Sequence, residues 1–215
     1  MSISVNDNGT WRTSNIISVN DAGTWRNAKA VYIKDAGVWR TVYGDQSGTL
    51  SYTSPTTFNW TVPEGVFSIS VTACGGAGGG GGGDGGANYN GNGAGGGGAN
   101  LITSTIAVTP LQVLSVTVGA GGFAGPSSGA DGGDGAPTTI TGTGVSFATG
   151  AGTHGGGWYT GREIGIGANG ANNGNNDPFG GAGGTSTNGG ANGGRGGTYK
   201  AAGIAGENGK LTIIY

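Results

Sequence analysis

The sequence has little of the chemistry that most functional classes depend on. Only 9% of its 215 residues are charged, and it contains one cysteine and one histidine. The few basic residues form no stripe that could neutralise phosphates, so we expect no nucleic-acid partner. No apolar run approaches the ~18 residues of a membrane span, so no membrane insertion is expected. A single cysteine, Cys74, excludes an internal disulfide and is expected to pack as a small hydrophobe.

Residue patterns for catalysis and metal binding are also missing. The lone histidine, His154, has no serine or cysteine near it in a nucleophile setting, so we predict no enzyme activity. Asp84, Asp131 and Asp134 lie in glycine-rich stretches that resemble a calcium-binding repeat, but the hydrophobic position and the tandem repetition of that repeat are absent. These aspartates are more typical of turns, and no metal or cofactor is expected.

Glycine is what the chain has in excess. It contributes 55 residues, where average proteins contain roughly 7%. Hydrophobic residues make up 34% of the sequence and include much alanine. This composition cannot build a large aliphatic core, so something else must hold the chain together.

A short pattern occurs three times in the first forty residues, as ISVNDNGTWR, ISVNDAGTWR and YIKDAGVWR. Its tryptophans, Trp11, Trp25 and Trp39, are fourteen residues apart. In each copy, alternating residues flank a turn containing Asp and Gly, which predicts a β-hairpin. The tryptophans are either the core of a small β-meander or a contact surface for another protein, and both roles are compatible.

We predict a three-residue loop in each hairpin, Asp7-Asn8-Gly9 in the first. This register pairs Val5 with Trp11 and Ser4 with Arg12. It gives each hairpin an apolar face and a polar face. The apolar faces hold Ile3, Val5 and Trp11, then Ile17, Val19 and Trp25, then Val31, Ile33 and Trp39. The polar faces include Arg12, Arg26 and Arg40.

Three hairpins in one chain favour a threefold partner. A homotrimer would need only one docking hairpin per chain, whereas three per chain let a monomer contact each subunit of a trimer once. We therefore expect a monomer on a trimeric partner, with a homotrimer as the alternative. The predicted domains are a three-hairpin attachment domain at 1–43, a linker at 44–49 and a glycine-rich domain at 50–215.

The glycine-rich region is bracketed by strand-like runs. They are predicted at 58–62, 66–73, 101–108, 111–118 and 209–215. Between them, the glycine tracts fail the strict every-third register of collagen. They could be flexible linkers or extended helices of three residues per turn that hydrogen-bond laterally, which only glycine lets approach closely enough. We predict the lateral lattice because the tracts return repeatedly to apolar strands.

The segments FNWTVPEGVFSISVTACGGAGGGGGG, NLITSTIAVTPLQVLSVTVGAGG and GENGKLTIIY resemble glycine-rich domains of bacteriophage tail proteins. The same layout is similar to the glycine-rich extracellular module of the anaplastic lymphoma kinase receptor family. With the VNDxGTWR repeats, the chain resembles the distal-tip fibre adhesins of T-even-like phages, although its strands are more prominent and its glycine tracts less regular.

The resemblance implies a fold and a role. The fold would be mostly β with non-regular glycine-rich structure: a triple β-hairpin module followed by a β-framework that carries a polyglycine II helix sandwich. The protein would be a virion component at the tail or fibre tip, assembled in the host cytoplasm. It would attach to a trimeric fibre or tail protein and bind a bacterial surface protein or glycan. A structural cap or spacer without receptor binding is the alternative.

Candidate receptor contacts are the large side chains that interrupt glycine tracts. Aromatic residues flanked by Asn, Ser and Gly are typical of binding loops, and they also stack on sugar rings. An alternative for Trp158 and Phe179 is that they plug the β-framework. The candidates are Tyr89, Trp158, Tyr159, Arg162, Phe179 and Tyr199. The candidates for fibre attachment are Trp11, Trp25, Trp39, Arg12, Arg26 and Arg40.

Overall fold

The computed structural model describes residues 3–7, 10–14, 18–27, 30–44, 47–83, 92–157, 184–186, 189–198 and 200–215. These residues form strands and extended segments and contain no helix, in agreement with the predicted fold class. The strands are β1 Ile3–Asp7, β2 Thr10–Ser14, β3 Ser18–Asp21, β4 Thr24–Asn27, β5 Ala30–Asp35, β6 Val38–Gly44, β7 Thr49–Tyr52, β8 Thr56–Thr61, β9 Ser68–Cys74, β10 Ile102–Ala107, β11 Val113–Val118, β12 Thr139–Gly142, β13 Val145–Ala148 and β14 Lys210–Ile214.

The three predicted hairpins are present as β1-β2, β3-β4 and β5-β6, each a separate two-stranded sheet. Their loops have two residues. In the second hairpin these are Ala22 and Gly23, with φ of 47° and 86°. Two successive positive φ angles are typical of a type I′ turn, whose twist matches that of the flanking strands. The Asn20 Oδ1 atom accepts a hydrogen bond from Gly23 N at 2.8 Å.

The predicted register is therefore wrong by one residue. Asp7 pairs with Thr10, which places Val5 opposite Arg12 and Asn6 opposite Trp11. The second and third hairpins repeat this arrangement, with Val19 opposite Arg26 and Asn20 opposite Trp25, and with Ile33 opposite Arg40 and Lys34 opposite Trp39. A shift of one residue exchanges the two faces of a strand. The predicted grouping of each tryptophan with the aliphatic residues of its hairpin does not hold.

After the hairpins along the chain, two four-stranded antiparallel sheets form a sandwich. Their strand orders are β10-β9-β14-β7 and β13-β12-β11-β8. Residues alternate along each strand, so that β11 buries Leu114, Val116 and Val118 and turns Val113 and Ser115 outward. The strands predicted from apolar runs are confirmed as β8, β9, β10, β11 and β14, whereas β7, β12 and β13 were not predicted.

Buried side chains from both sheets form one core. Its largest fully buried members include Ile69, Leu114, Ile140, Leu211 and Ile213. This modest core stabilises the sandwich, since each Å² of buried apolar surface contributes ~25 cal/mol. Most of the glycine residues lie outside it.

The glycine tracts form a lattice in which residues 76–83, the central segment, are bonded on all sides. All eight backbone N–H groups from Gly76 to Gly83 donate to carbonyls of other segments at 2.8–3.0 Å. Successive residues donate to three different neighbours, and every third residue returns to the same one. Gly76, Gly79 and Gly82 donate to Ala136, Gly133 and Ala130 in turn. This periodicity is that of a three-residue-per-turn helix with lateral bonds, as predicted from the composition.

Six segments enclose the central segment as a closed ring. In spatial order they are residues 93–97, 152–157, 130–136, 120–125, 201–207 and 192–197, each hydrogen-bonded to the next and the last to the first. Three of them, 93–97, 130–136 and 201–207, run antiparallel to the central segment and accept its N–H bonds. The other three run parallel to it and donate to carbonyls from Gly76 to Gly81. The central segment thus donates hydrogen bonds to three neighbours and accepts hydrogen bonds from the other three.

The lattice and the sandwich are continuous along the chain. β9 leads into the central segment, and β11 and β13 lead into 120–125 and 152–157. Three further segments lead back into strands: 93–97 into β10, 130–136 into β12 and 201–207 into β14. Segment 192–197 is the ring member with no strand of its own among the described residues. The sheets therefore fix the position of one end of six of the seven segments.

Two buried threonines satisfy the backbone where the sandwich meets the lattice. The Thr138 hydroxyl donates to Cys74 O at 2.7 Å and accepts from Gly119 N at 3.0 Å. Thr149 Oγ1 accepts from Thr138 N at 3.0 Å. Neither sheet ladders nor lateral glycine bonds reach these groups, so side-chain hydroxyls take their place. Cys74 is buried at this junction, as expected, and packs with Ala77, Ala99 and Ala191.

We expect Gly80→Ala to destabilise the protein strongly. A Cβ atom on Gly80 would lie far inside van der Waals contact with the backbone carbonyl of Arg195, which cannot rotate away. Overpacking costs 1–3 kcal/mol where side chains can adjust, so we expect a loss of about 3 kcal/mol, measured by scanning calorimetry. The matched control is Gly150→Ala, because a Cβ there meets no atom within 4 Å. This variant should gain up to about 1 kcal/mol. Equal unfolding temperatures for the two variants would contradict the lattice.

Candidate functional site

The body of the protein has two distinct ends. The end of the sandwich remote from the lattice, here called the base, holds Gly48 and Tyr215, which exchange backbone hydrogen bonds of 2.8 and 3.1 Å. Because β7 starts at Thr49, the chain arriving from the hairpins enters the sandwich at the base. At the opposite end, here called the distal end, the central segment finishes at Gly83. With a rise of ~3.1 Å per residue, the lattice extends about 25 Å beyond the sandwich.

Chain crossovers between lattice segments lie at the distal end. Gly82 N donates to Ala130 O, and Gly83 N donates to Ala201 O. These bonds place the turn at 126–129 and the start of segment 201–207 level with Gly83. The residues Asn92, Gly157 and Thr198 also end segments on this side. The turn at 126–129 is therefore at this end, and so are the ends of three described lattice segments, at Gly83, Gly157 and Thr198.

All six predicted receptor-binding residues lie outside the residues that the structure describes. Tyr89 lies within 84–91, Tyr199 is a single omitted residue, and the remaining four lie within 158–183. These residues are outside the described part of the chain, as is Asp84. Of their described neighbours, Gly83, Gly157 and Thr198 are at the distal end, whereas Gly184, which follows 158–183, donates to Gly96 O nearer the sandwich.

Among the described residues, the large apolar side chains that stand between glycines of the ring segments point away from the central segment. Phe123 is 67% exposed and Ile204 is 58% exposed, and they belong to neighbouring ring segments. A side chain is excluded where a ring segment faces the central segment, as at Gly203 and Gly206, where a Cβ atom would meet the carbonyls of Gly80 and Ala77. Sequence reasoning missed these two residues. The signal that could have found them is the local Gly-Gly-x register of GGF and the spacing of Ile204 between Gly203 and Gly206.

His154 links two ring segments through carboxylates. Its Nδ1 atom lies 2.6 Å from Asp134 Oδ1, and its backbone N–H donates to the same oxygen at 2.8 Å. Its Nε2 atom is 4.0 Å from Asp131 Oδ2. Asp131 Oδ1 also accepts from Gly157 N at 2.6 Å. Both aspartates thus fasten segment 130–136 to segment 152–157, which is a bridge between segments and not the turn role expected for them.

A second polar contact joins ring segments 192–197 and 201–207. Glu207 Oε2 accepts from Asn192 N at 3.0 Å, and Glu207 Oε1 accepts from Asn192 Nδ2 at 3.2 Å. Lys210 Nζ lies 4.0 Å from Glu207 Oε2. The backbone hydrogen bond from Asn192, followed by its side-chain bond and the Lys210 charge, holds the pKa of Glu207 below its ordinary value against the opposing effect of burial.

The described residues offer neither a metal centre nor a membrane-spanning helix. No group of three or more His, Cys, Asp or Glu side chains among them is arranged to hold a metal ion. Likewise, they include no helix of the length and apolarity that crossing a bilayer requires. The candidate binding sites of this body are therefore the distal end and the base.

We expect Asp134→Asn to reduce stability at neutral pH. The backbone N–H of His154 and then its side chain lower the pKa of Asp134 below 3.8. A carboxylate with a lowered folded pKa contributes stability that is present above pH 3.8 and is lost as pH falls through the folded value. Asn keeps an acceptor oxygen but loses the charge, so the loss should be up to about 1 kcal/mol. Unfolding curves between pH 7 and 2 measure it.

The acid dependence provides the control. Asp134→Asn should lose less stability than the parent protein between pH 4 and 2, because the titrating group is gone. Gly150→Ala, the control variant used above, changes no titratable group, and the pH dependence of its stability should parallel that of the parent. A parent-like curve for Asp134→Asn would show that the contact with His154 contributes nothing to stability.

The fold and the comparisons with known proteins agree on one assignment. No curated protein matches the sequence significantly. A family model described as a glycine-rich domain matches residues 53–213, which include most of the sandwich and the whole lattice. The chain therefore belongs to the glycine-rich domain family.

Proposed function

We propose that this chain is a bacteriophage tail-fibre tip protein that attaches to a trimeric fibre or tail component and binds a receptor on the bacterial surface. The observation that carries the proposal is the polarity of the body. The hairpins join it at the base, and the turn at 126–129 and the segment ends at Gly83, Gly157 and Thr198 lie at the distal end. A rigid lattice of about 25 Å separates the two ends.

The lattice supports a role in presentation. Lateral hydrogen bonds on every side of the central segment resist bending, so loops at the distal end are held at a fixed distance from the attachment point. Loops on a rigid scaffold are the usual place for recognition, because their sequences can vary without disturbing the core. The aromatic candidates Tyr89, Trp158 and Phe179 lie in stretches that start from this end. A bacterial surface protein or a glycan would suit such loops.

We propose that the protein acts by binding and not as an enzyme. His154 is engaged by two carboxylates that belong to the lattice, and Cys74 is buried at the junction. Both groups have structural roles that account for their presence. The protein would be located in the virion, without nucleic-acid or membrane partners.

The hairpin register refines the proposed attachment. In each hairpin an aliphatic residue is opposite the arginine and a polar residue is opposite the tryptophan. The three copies repeat one pairing, which is what three equivalent subunits of a trimer require. We propose that Trp11, Trp25 and Trp39 contact the fibre as one set, with Arg12, Arg26 and Arg40 as the competing set.

The two sets can be separated by mutation. The triple variant Trp11→Ala, Trp25→Ala, Trp39→Ala should weaken binding to candidate trimeric fibre proteins of bacteriophages by at least about a hundredfold, since buried tryptophans dominate interface energies. The matched variant Arg12→Ser, Arg26→Ser, Arg40→Ser should weaken it less. Calorimetric titration with full-length chain measures both. Parent-like affinity of the tryptophan variant would sink the attachment proposal.

Receptor binding is tested at the other end. Replacing Tyr89, Trp158, Tyr159 and Phe179 by Ser should reduce adsorption of fibre-bound protein to host cells by about tenfold or more. Phe123→Ser is the control, because this exposed aromatic residue lies on the side of the lattice and not at its distal end. The alternative function, a stiff cap or spacer, is favoured if the distal variant folds, attaches to the fibre and adsorbs as well as the parent.

A further inference from the structure

Three large apolar side chains are exposed at the base of the sandwich. Leu111 is 57% exposed, Val113 is 55% exposed and Phe67 is 43% exposed. They lie on adjoining elements, since Leu111 N donates to Val62 O and Val108 N donates to Phe67 O, both at 2.9 Å. Among the base loops, 62–67, 108–112 and 143–144, Glu64 is the sole charged residue. We call Phe67, Leu111 and Val113 the base patch.

Leu111 occupies a backbone position that does not suit leucine. Its φ is 63°, and it follows Pro110 in a turn closed by Gln112 N donating to Thr109 O at 3.1 Å. Proline followed by a residue with positive φ is the type II turn, which normally has glycine at the second central position. A left-handed conformation is unfavourable for a residue with a side chain, because Cβ approaches the following carbonyl oxygen. The exposed leucine side chain contributes little packing energy to the fold that could offset this strain. The strained position therefore indicates a function other than stabilising the fold.

The linker limits what can cover the base patch. Strand β6 ends at Gly44, and Gly48 is fixed at the base by its bonds to Tyr215. Four residue steps span at most about 14 Å. A protein that holds the last hairpin is therefore within reach of the base. Along the chain, the base is much closer to the hairpins than the distal end is.

We propose that the base patch is a second contact with the same trimeric partner that binds the hairpins. This inference rests on the proposed attachment function and extends it from residues 3–44 to the sandwich. The partner surface at this point is apolar and poorly charged, to match the patch, and Leu111 is the side chain inserted into it. Two contacts joined by a short linker bind more tightly than either does alone, because the second contact forms at high effective concentration.

The test uses Leu111→Gly in the full-length chain. Glycine adopts φ of 63° without strain, so this variant should unfold at the same temperature as the parent or a higher one, and loss of folding cannot explain a loss of binding. Its affinity for the trimeric fibre protein should fall about tenfold, the effect of removing one buried leucine side chain. Ile204→Ser is the matched control, with 58% exposure on the lattice, and should bind like the parent.

The outcomes separate this inference from the function on which it rests. If the triple tryptophan variant binds poorly but Leu111→Gly binds like the parent, the base contact is wrong and the attachment function stands. If the tryptophan variant binds like the parent, the attachment function fails and the base contact fails with it. Weak binding by both variants, with normal binding by Ile204→Ser, supports both.

Discussion

The structure depends on one constraint: every backbone N–H and C=O group of a buried glycine segment must find a partner in another segment. Glycine has no side chain to bury, so burial alone gives these residues little free energy, and ordering each residue costs roughly 1–2 kcal/mol. The central segment meets this cost with bonds in six directions, donating from Gly76 to Gly83 and accepting from Gly76 to Gly81. Such an arrangement cannot form segment by segment. It needs the whole ring.

The sandwich supplies what the lattice cannot supply for itself, which is register. Glycine segments of identical sequence could slide past one another by three residues and recover the same bonding pattern, with the loss of only the bond at the end. Six of the seven segments avoid this because each continues from or into a strand whose position is fixed by the apolar core. At the junction, Thr138 and Thr149 satisfy backbone groups that neither ladder nor lattice reaches. Stability in the core and order in the lattice are therefore coupled.

The same coupling gives the body its two different ends. Strands turn at the base, where the loops 62–67, 108–112 and 143–144 are short and where Gly48 and Tyr215 exchange backbone hydrogen bonds. At the distal end, the turn at 126–129 joins two ring segments and belongs to neither sheet. A change of sequence at this turn therefore leaves the apolar core untouched. This separation is the physical basis for proposing that attachment and recognition lie at opposite ends.

The sequence by itself determined the three hairpins, the principal strands and the lateral glycine lattice, because turn residues, apolar runs and extreme glycine content are local signals. It left undetermined the loop length that sets the hairpin register, since Asn-Asp-Ala-Gly fits both a two-residue and a three-residue turn. Only the tertiary structure decided that Val5 is opposite Arg12, which segment is central, and which crossovers share an end. These depend on hydrogen bonds between residues far apart in the chain, such as Gly80 and Ile204, and glycine tracts of nearly identical composition cannot indicate which of them will be neighbours.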